Sequence, residues 1–244
     1  MTAINRREAL TAASLAGATL ALGERRAAAA APPPVPPALV GKNEVLPLPF
    51  AAGSLHALSE RLMTSHHDNN YAGAVKNLNL VELDLARITK ETPAFLVAAL
   101  RERELTFRNS KTLHEAYFGN LGGDGKRSGP IEVALAQAYG SSAAWEAQFR
   151  ATGAGLGGGS GWVVLALELD TGALRTIGAG NHTQALATAA PLFVMDMYEH
   201  AYQMDFGAAA AKYIDAFFAN ARWDEVNRRF ERARAASAAW RGAK

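Results

Sequence analysis

Cysteine is absent from this 244-residue chain, and its absence removes several kinds of chemistry. Without thiols the protein can form no disulfide, no thiolate metal site and no cysteine-ligated iron–sulfur cluster. A metal ion would therefore have to be held by histidine, aspartate or glutamate side chains. Because the chain has only six histidines, the candidate histidine ligands are few.

Net charge is also low, at a formal +2 at pH 7. Residues 1–31 contain four arginines and two glutamates, so the positive excess lies in that segment and the remainder is close to neutral. A near-neutral remainder gives no reason to expect binding to nucleic acid or to an anionic membrane. Four arginines near the C-terminus fit a solvated helix face that includes Glu231 better than a binding patch. These are Arg228, Arg229, Arg232 and Arg234.

The N-terminal segment lacks an apolar run long enough to anchor the chain in a membrane. Residues 9–23 are free of charge, but a membrane span needs about 20 apolar residues. Arg6 and Arg7 precede this run, and an alanine tract and a proline-rich stretch follow it. This pattern predicts an export signal over residues 1–31. We expect the twin-arginine route, with an ordinary secretory signal as the alternative. The mature protein would be periplasmic or secreted, with no membrane anchor after removal of the signal.

Hydrophobic periodicity divides the remaining chain into a helical first half and a second half that includes strands. Residues 32–44 are a proline-rich linker. We predict one long helix over residues 54–88, or a pair broken near Asn69 and Asn70. The other predicted helices cover residues from 92 onward, 111–121, 130–139, 142–152, 208–220 and 223–235. A hairpin is predicted over residues 162–180 and a third strand over residues 192–195, which gives a small three-stranded sheet.

Asp196 and His200 are the first candidate metal ligands. A carboxylate and an imidazole four residues apart lie on one face of a helical turn, or meet where a strand gives way to a helix. Either arrangement places them close enough to hold one metal ion from two sides. An apolar run over residues 191–195 precedes them, so we expect the pair to be buried. The alternative is a buried Asp–His hydrogen bond without a metal.

Two further histidines have apolar surroundings in the predicted helices. His66 falls on the same helical stripe as Leu58 and Leu62, whereas the adjacent His67 points about 100° away. His114 lies beside apolar and aromatic residues of its own helix. We expect His56 and His182 to face solvent. Three imidazoles and one carboxylate form a ligand set suited to redox-active iron or manganese.

Several segments together resemble the iron/manganese superoxide dismutases. They are HHDNNYAGAVKNLN at residues 66–79, LHEAYF at 113–118, GSGW at 159–162 and DMYEHAY at 196–202. The resemblance extends from about residue 46 to residue 230. It implies an α+β fold, with an N-terminal helical-hairpin domain over residues 45–121. A C-terminal α/β domain over residues 122–244, with a small three-stranded antiparallel sheet, would complete the metal site between the domains.

The resemblance also implies an activity and a ligand set. One iron or manganese ion per subunit would convert superoxide to oxygen and hydrogen peroxide, held by His66, His114, Asp196 and His200. Trp162 would pack beside the metal. Glu199 would reach the partner subunit's His200, which implies a homodimer.

Other positions depart from the family pattern. Ala74 replaces the usual channel tyrosine, and Asn70 and Tyr198 replace a histidine and a tryptophan. Ser110 and Gly158 occupy the places from which the family supplies an outer glutamine, so no catalytic side chain is assigned. The departures predict a dismutase of reduced activity. The alternatives are a non-enzymatic metal-binding relative and a different redox activity at the same iron or manganese site.

The predicted export signal can be tested by changing its arginine pair. Replacing Arg6 and Arg7 with lysine keeps the charge but removes the paired guanidinium groups that define a twin-arginine signal. We expect the double variant to remain in the cytoplasm with the signal attached, as judged by fractionation and mass. Normal export of the variant would instead favour the general secretory route.

Overall fold

The computed structural model describes residues 34–243. The predicted signal over residues 1–31 and the start of the predicted linker lie outside the described residues, so export stays a prediction. The part from Val35–Lys244 forms one unit, with helices in its first half and a small sheet with helices in its second. The predicted α+β class is therefore confirmed.

The first helical path runs without a break from Glu60 to Leu85. Ser59 begins it, because its Oγ accepts a hydrogen bond from the backbone N–H of Leu62 at 3.0 Å. Of the two predicted arrangements the single long helix is the one found, and a π-helical turn near Asn69 and Asn70 widens the helix without ending it. The path consists of α1 (Glu60–Ser65), the π turn (His66–Tyr71) and α2 (Ala72–Leu85).

A single long helix, α3 (Ala94–Gly119), packs against α2. The sequence predicts two helices here, but residues 94–118 contain no glycine or proline to interrupt the backbone. The helix ends at the buried Asn120. The Nδ2 of Asn120 donates to the Val194 carbonyl at 2.7 Å, and its Oδ1 accepts from Arg229 at 2.8 Å. The end of α3 is thereby fixed to the second half of the chain.

The sheet has three antiparallel strands, with the first strand in the middle. In this register Trp162 is paired with Ala179 on one side and with Asp196 on the other. The central strand thus brings the tryptophan next to the carboxylate. The observed third strand is longer than the predicted one. The strands are β1 (Trp162–Glu168), β2 (Leu174–Ala179) and β3 (Ala189–Asp196).

Helices around the sheet enclose an aromatic core. Phe193 of β3 packs against Trp145, Phe149 and Trp223, with ring centroids 4.8–6.1 Å apart. The predicted boundary between residues 121 and 122 falls in the loop after α3, and a division into two domains stays a prediction. Within residues 34–243, no helix is both long and apolar enough to cross a membrane. The remaining helices are α4 (Pro130–Tyr139), α5 (Ser142–Leu156), α6 (Gln203–Phe206), α7 (Ala210–Ala219) and α8 (Trp223–Gly242).

Candidate metal centre

Four side chains from distant parts of the sequence converge at one point. His66 is the first residue of the π turn and His114 lies on α3. Asp196 is the last residue of β3, and His200 lies in the short helical turn that follows. One ligand atom from each lies within 4.8 Å of all the others. His66, His114 and Asp196 are buried, and His200 is half-buried.

One carboxylate oxygen lies between the three imidazoles. Asp196 Oδ2 is 3.1 Å from His66 Nε2, 3.2 Å from His200 Nε2 and 3.6 Å from His114 Nε2. Ligand atoms that share one metal ion at about 2.1 Å lie roughly 3–3.6 Å from each other. The three distances from Asp196 Oδ2 therefore fit ligand atoms that share one ion.

A hydrogen bond behind the cluster directs a free acceptor atom of His114 into it. His114 Nδ1 lies 2.7 Å from the Ser110 carbonyl oxygen, which can only accept, so Nδ1 carries the proton and Nε2 does not. The buried His114 Nε2 has no hydrogen-bond partner among the described residues. A buried, unprotonated imidazole nitrogen without a partner is uncommon, and a metal ion would satisfy it.

Asp196 is oriented in the same way. Its Oδ1 accepts a hydrogen bond from the Tyr198 backbone N–H at 2.9 Å. Its backbone carbonyl accepts from the Tyr213 hydroxyl at 2.7 Å. These bonds fix the carboxylate and leave Oδ2 facing the histidines, as a ligand with one coordinating oxygen requires.

Burial and local hydrogen bonds favour the protonation states that bind metal. Burial lowers the pKa of His114 to about 3, and it also lowers the pKa of His66. Burial alone would raise the pKa of Asp196, but its hydrogen bonds with His200 and His66 outweigh this effect and hold the pKa below its usual range. The centre therefore combines neutral buried imidazoles with a charged carboxylate at neutral pH.

Aromatic rings enclose the cluster. The edge of the Trp162 ring meets His114 with centroids 5.1 Å apart, and Tyr198 stacks on His200 at 5.3 Å. Phe118 packs against His66 at 5.0 Å.

Asn70 is half-buried in the π turn, and Glu199 is exposed in the single chain. His56 is exposed, as the sequence predicts.

The prediction that His182 faces solvent is wrong. This histidine is half-buried, and its Nδ1 accepts a hydrogen bond from Trp162 Nε1 at 2.9 Å. Its ring stacks on Tyr198 at 4.7 Å. Because Nδ1 accepts, the neutral ring carries its proton on Nε2. The signal that could have found it is the hairpin register, which places the residues after Ala179 beside the start of β1.

Gly158 also needs correction as a position facing the metal. It is exposed with a φ of +78°, and a Cβ added there would meet no atom within 4 Å. A side chain at this position would begin in open solvent, outside the cluster. Ser110 is buried and lies against His114, with Oγ 3.3 Å from Nδ1. Ala74 is buried on α2.

Comparisons with known proteins agree with this site. Residues 127–229 match the family model described as the C-terminal domain of iron/manganese superoxide dismutases. The chain is 44% identical to a superoxide dismutase [Fe] of Cupriavidus metallidurans over 188 residues, which cover 77% of this chain and 95% of the relative. It is 33% identical to superoxide dismutase [Mn] 2 of Haloferax volcanii over 196 residues, 78% of this chain and 96% of the relative.

The α+β fold and the histidine–aspartate cluster thus define a metalloprotein of the redox type. With relatives this similar over most of both lengths, the chain belongs to the iron/manganese superoxide dismutase family.

The buried histidines should make the stability of the metal-free protein depend on pH. Histidines in the unfolded chain titrate near 6.5, whereas burial lowers the pKa of His66 and His114 in the folded protein. The contribution of these two histidines to the free energy of unfolding is complete above pH 6.5. It is lost as the pH falls below 6.5, because only the unfolded chain then gains protons. We expect His114 alone to reduce the free energy of unfolding by about 2 kcal/mol between pH 7 and 5.

Urea unfolding of chelator-treated protein at both pH values measures this loss. His114→Gln should show a smaller decrease between pH 7 and 5 than the unmodified protein. His56→Gln, at an exposed histidine, is the matched control and should retain the full decrease. An equal decrease in all three proteins would contradict the prediction.

Proposed function

We propose that the protein dismutates superoxide at one iron or manganese ion held by His66, His114, Asp196 and His200. The observation that carries this proposal is the buried His114 Nε2, which is without a hydrogen-bond partner among the described residues and faces Asp196 Oδ2 at 3.6 Å. Two superoxide ions and two protons would give one oxygen and one hydrogen peroxide. Membership of the dismutase family supports the reaction.

The bound ion would supply one-electron chemistry by alternating between two and three positive charges. The chain itself would supply a negative charge, fix the orientation of the ligands and limit the access of water. Asp196 provides the buried negative charge, and the Ser110 carbonyl holds the His114 ring with its unprotonated nitrogen inward. Trp162 and Phe118 line the cluster with apolar surface that limits the access of water. His182 holds a proton on Nε2 beside this wall, where the Trp162 hydrogen bond fixes its ring.

We expect the rate to lie below that of family members with a tyrosine in the channel. At the position of that tyrosine stands Ala74, which has no hydroxyl to relay protons. Loss of one positioned proton donor commonly costs about 10²-fold or more in rate. The alternative of a metal-binding protein without activity predicts the same metal content with no dismutation, so the two functions are separable by experiment.

The ligand set is tested by metal content together with activity. We expect His114→Ala to lose most bound iron or manganese and all dismutation, because removal of one of four ligands weakens binding steeply. His56→Ala, at an exposed histidine, should keep both. Metal analysis and pulse radiolysis of protein loaded with either ion provide the measurements. Full metal content in His114→Ala would show that the ligand set is wrong, and metal without dismutation in the unmodified protein would favour a binding role.

We also propose a homodimer in which Glu199 pairs with the partner subunit's His200. In the single chain the Glu199 side chain is exposed, although it directly precedes the candidate ligand His200. Histidine ligands usually donate their second ring N–H to a carboxylate, a backbone carbonyl or water, which fixes the ring. A twofold axis would make this contact twice, since each subunit offers the same pair.

Glu199→Ala should therefore yield more monomer and less bound metal than the unmodified protein in sedimentation and metal analysis. Glu102→Ala, which removes another exposed carboxylate from α3, is the control and should change neither quantity. A monomeric unmodified protein at micromolar concentration would remove the basis of this proposal.

A further inference from the structure

The π turn that begins with His66 is held by contacts with the N-terminal segment and with α3. A π turn inserts one extra residue into a helix, costs stability and persists where other contacts support it. Relaxation to a regular α-helix would rotate the residues before it by about 100° relative to α2. His66 would then turn away from Asp196 Oδ2, which now lies 3.1 Å from its Nε2. The contacts that hold the turn therefore bear on the geometry of the candidate metal centre.

Two side chains of the turn hydrogen-bond the backbone of a single residue in the N-terminal segment, Leu46. The Leu46 backbone N–H donates to the Tyr71 hydroxyl oxygen at 2.9 Å. The Leu46 carbonyl oxygen lies 2.8 Å from His67 Nε2, which donates to it. The second and the last residues of the π turn are thereby tied to one residue outside the helix.

The same tyrosine also joins the turn to α3. The Tyr71 hydroxyl donates to Glu115 Oε1 at 2.8 Å, and Lys111 Nζ lies 2.9 Å from the same oxygen. Glu115 directly follows His114, the candidate ligand on α3. Tyr71 is 1% exposed, and burial raises its pKa to about 12, so the hydroxyl stays protonated and can donate this hydrogen bond at neutral pH.

We infer that Tyr71 and Glu115 form a strap that sets the position of His66 relative to His114, which makes Tyr71 a positioning residue of the metal centre. The strap joins the end of the π turn that begins at His66 to the residue next to His114. Its function is to keep the two imidazole nitrogens at a separation that fits one ion. The inference rests on the proposed function, because it assumes that these histidines bind the metal.

Tyr71→Phe removes only the hydroxyl and should leave a folded protein. Lys111 still pairs with Glu115 in this variant. We expect Tyr71→Phe and Glu115→Ala to weaken Mn²⁺ binding by roughly ten-fold or more, the usual effect of removing a group that orients ligands. Glu115→Gln keeps an oxygen acceptor for Tyr71 and should retain most of the affinity.

The experiment measures Mn²⁺ affinity by chelator competition and records the EPR spectrum of the Mn²⁺-loaded full-length protein. Tyr139→Phe is the matched control, since Tyr139 is half-buried and its hydroxyl bonds to Thr176 Oγ1 at 3.1 Å elsewhere in the fold. We expect an altered spectrum and lower affinity for Tyr71→Phe, and neither change for Tyr139→Phe, even where both lose some stability.

If Tyr71→Phe has the same Mn²⁺ affinity and EPR spectrum as the unmodified protein, the strap is overturned and Tyr71 has a purely structural role. A loss of affinity in Glu115→Gln as large as that in Glu115→Ala would overturn the hydrogen-bond account. His114→Ala, measured in parallel, separates the two levels. If it binds Mn²⁺ as well as the unmodified protein, the proposed ligand set fails. If it alone loses Mn²⁺, only the strap fails.

Discussion

The buried carboxylate of Asp196 is the constraint on which the rest of the structure depends. A charge this deep in a protein is costly unless it is compensated on every side. The Tyr198 backbone N–H donates to one carboxylate oxygen, and the Tyr213 hydroxyl donates to the Asp196 backbone carbonyl. His66 and His200 hydrogen-bond the remaining oxygen at 3.1 and 3.2 Å, whereas the unprotonated His114 Nε2 lies 3.6 Å from it as an acceptor that a metal ion would satisfy. The end of β3 is therefore held in one orientation. Residues from both halves of the chain have to pack around it.

The packing around the carboxylate explains why the two halves fit together so closely. The central position of β1 places Trp162 beside Asp196, and Asn120 fixes the end of α3 to β3. His114 lies on α3 and Asp196 on β3, and these two elements are joined by the nearby hydrogen bond between Asn120 and Val194. Rigid regular elements hold a site more precisely than loops do. Only His200, in its short helical turn, lies partly at the surface, on the side where Glu199 is exposed.

Much of this arrangement could be predicted from residue types and spacing. Periodicity located most helices and all three strands, because one-sided burial imposes a repeat on the apolar residues. The four residues chosen as ligands do lie together. The π turn could not be predicted, because its extra residue changes the backbone hydrogen bonds and leaves no distinct side-chain pattern. The sequence alone does not reveal the burial of His182, because its contact with Trp162 depends on strand pairing across the hairpin. It does not reveal the exposure of Gly158 either, because a motif position does not give the direction of a side chain on glycine-rich backbone.

The distance along the chain between the converging residues has a consequence for the order of events in biosynthesis. His66 and Asp196 are 130 positions apart, and His200 follows only after β3 is complete. A ribosome-bound chain that has reached the end of α3 contains two of the four candidate ligands, His66 and His114, but neither Asp196 nor His200. A complete four-residue site can therefore form only when nearly the whole polypeptide has been synthesised and the long intervening segment has folded back. Metal binding by all four residues thus depends on the two halves of the chain being correctly joined.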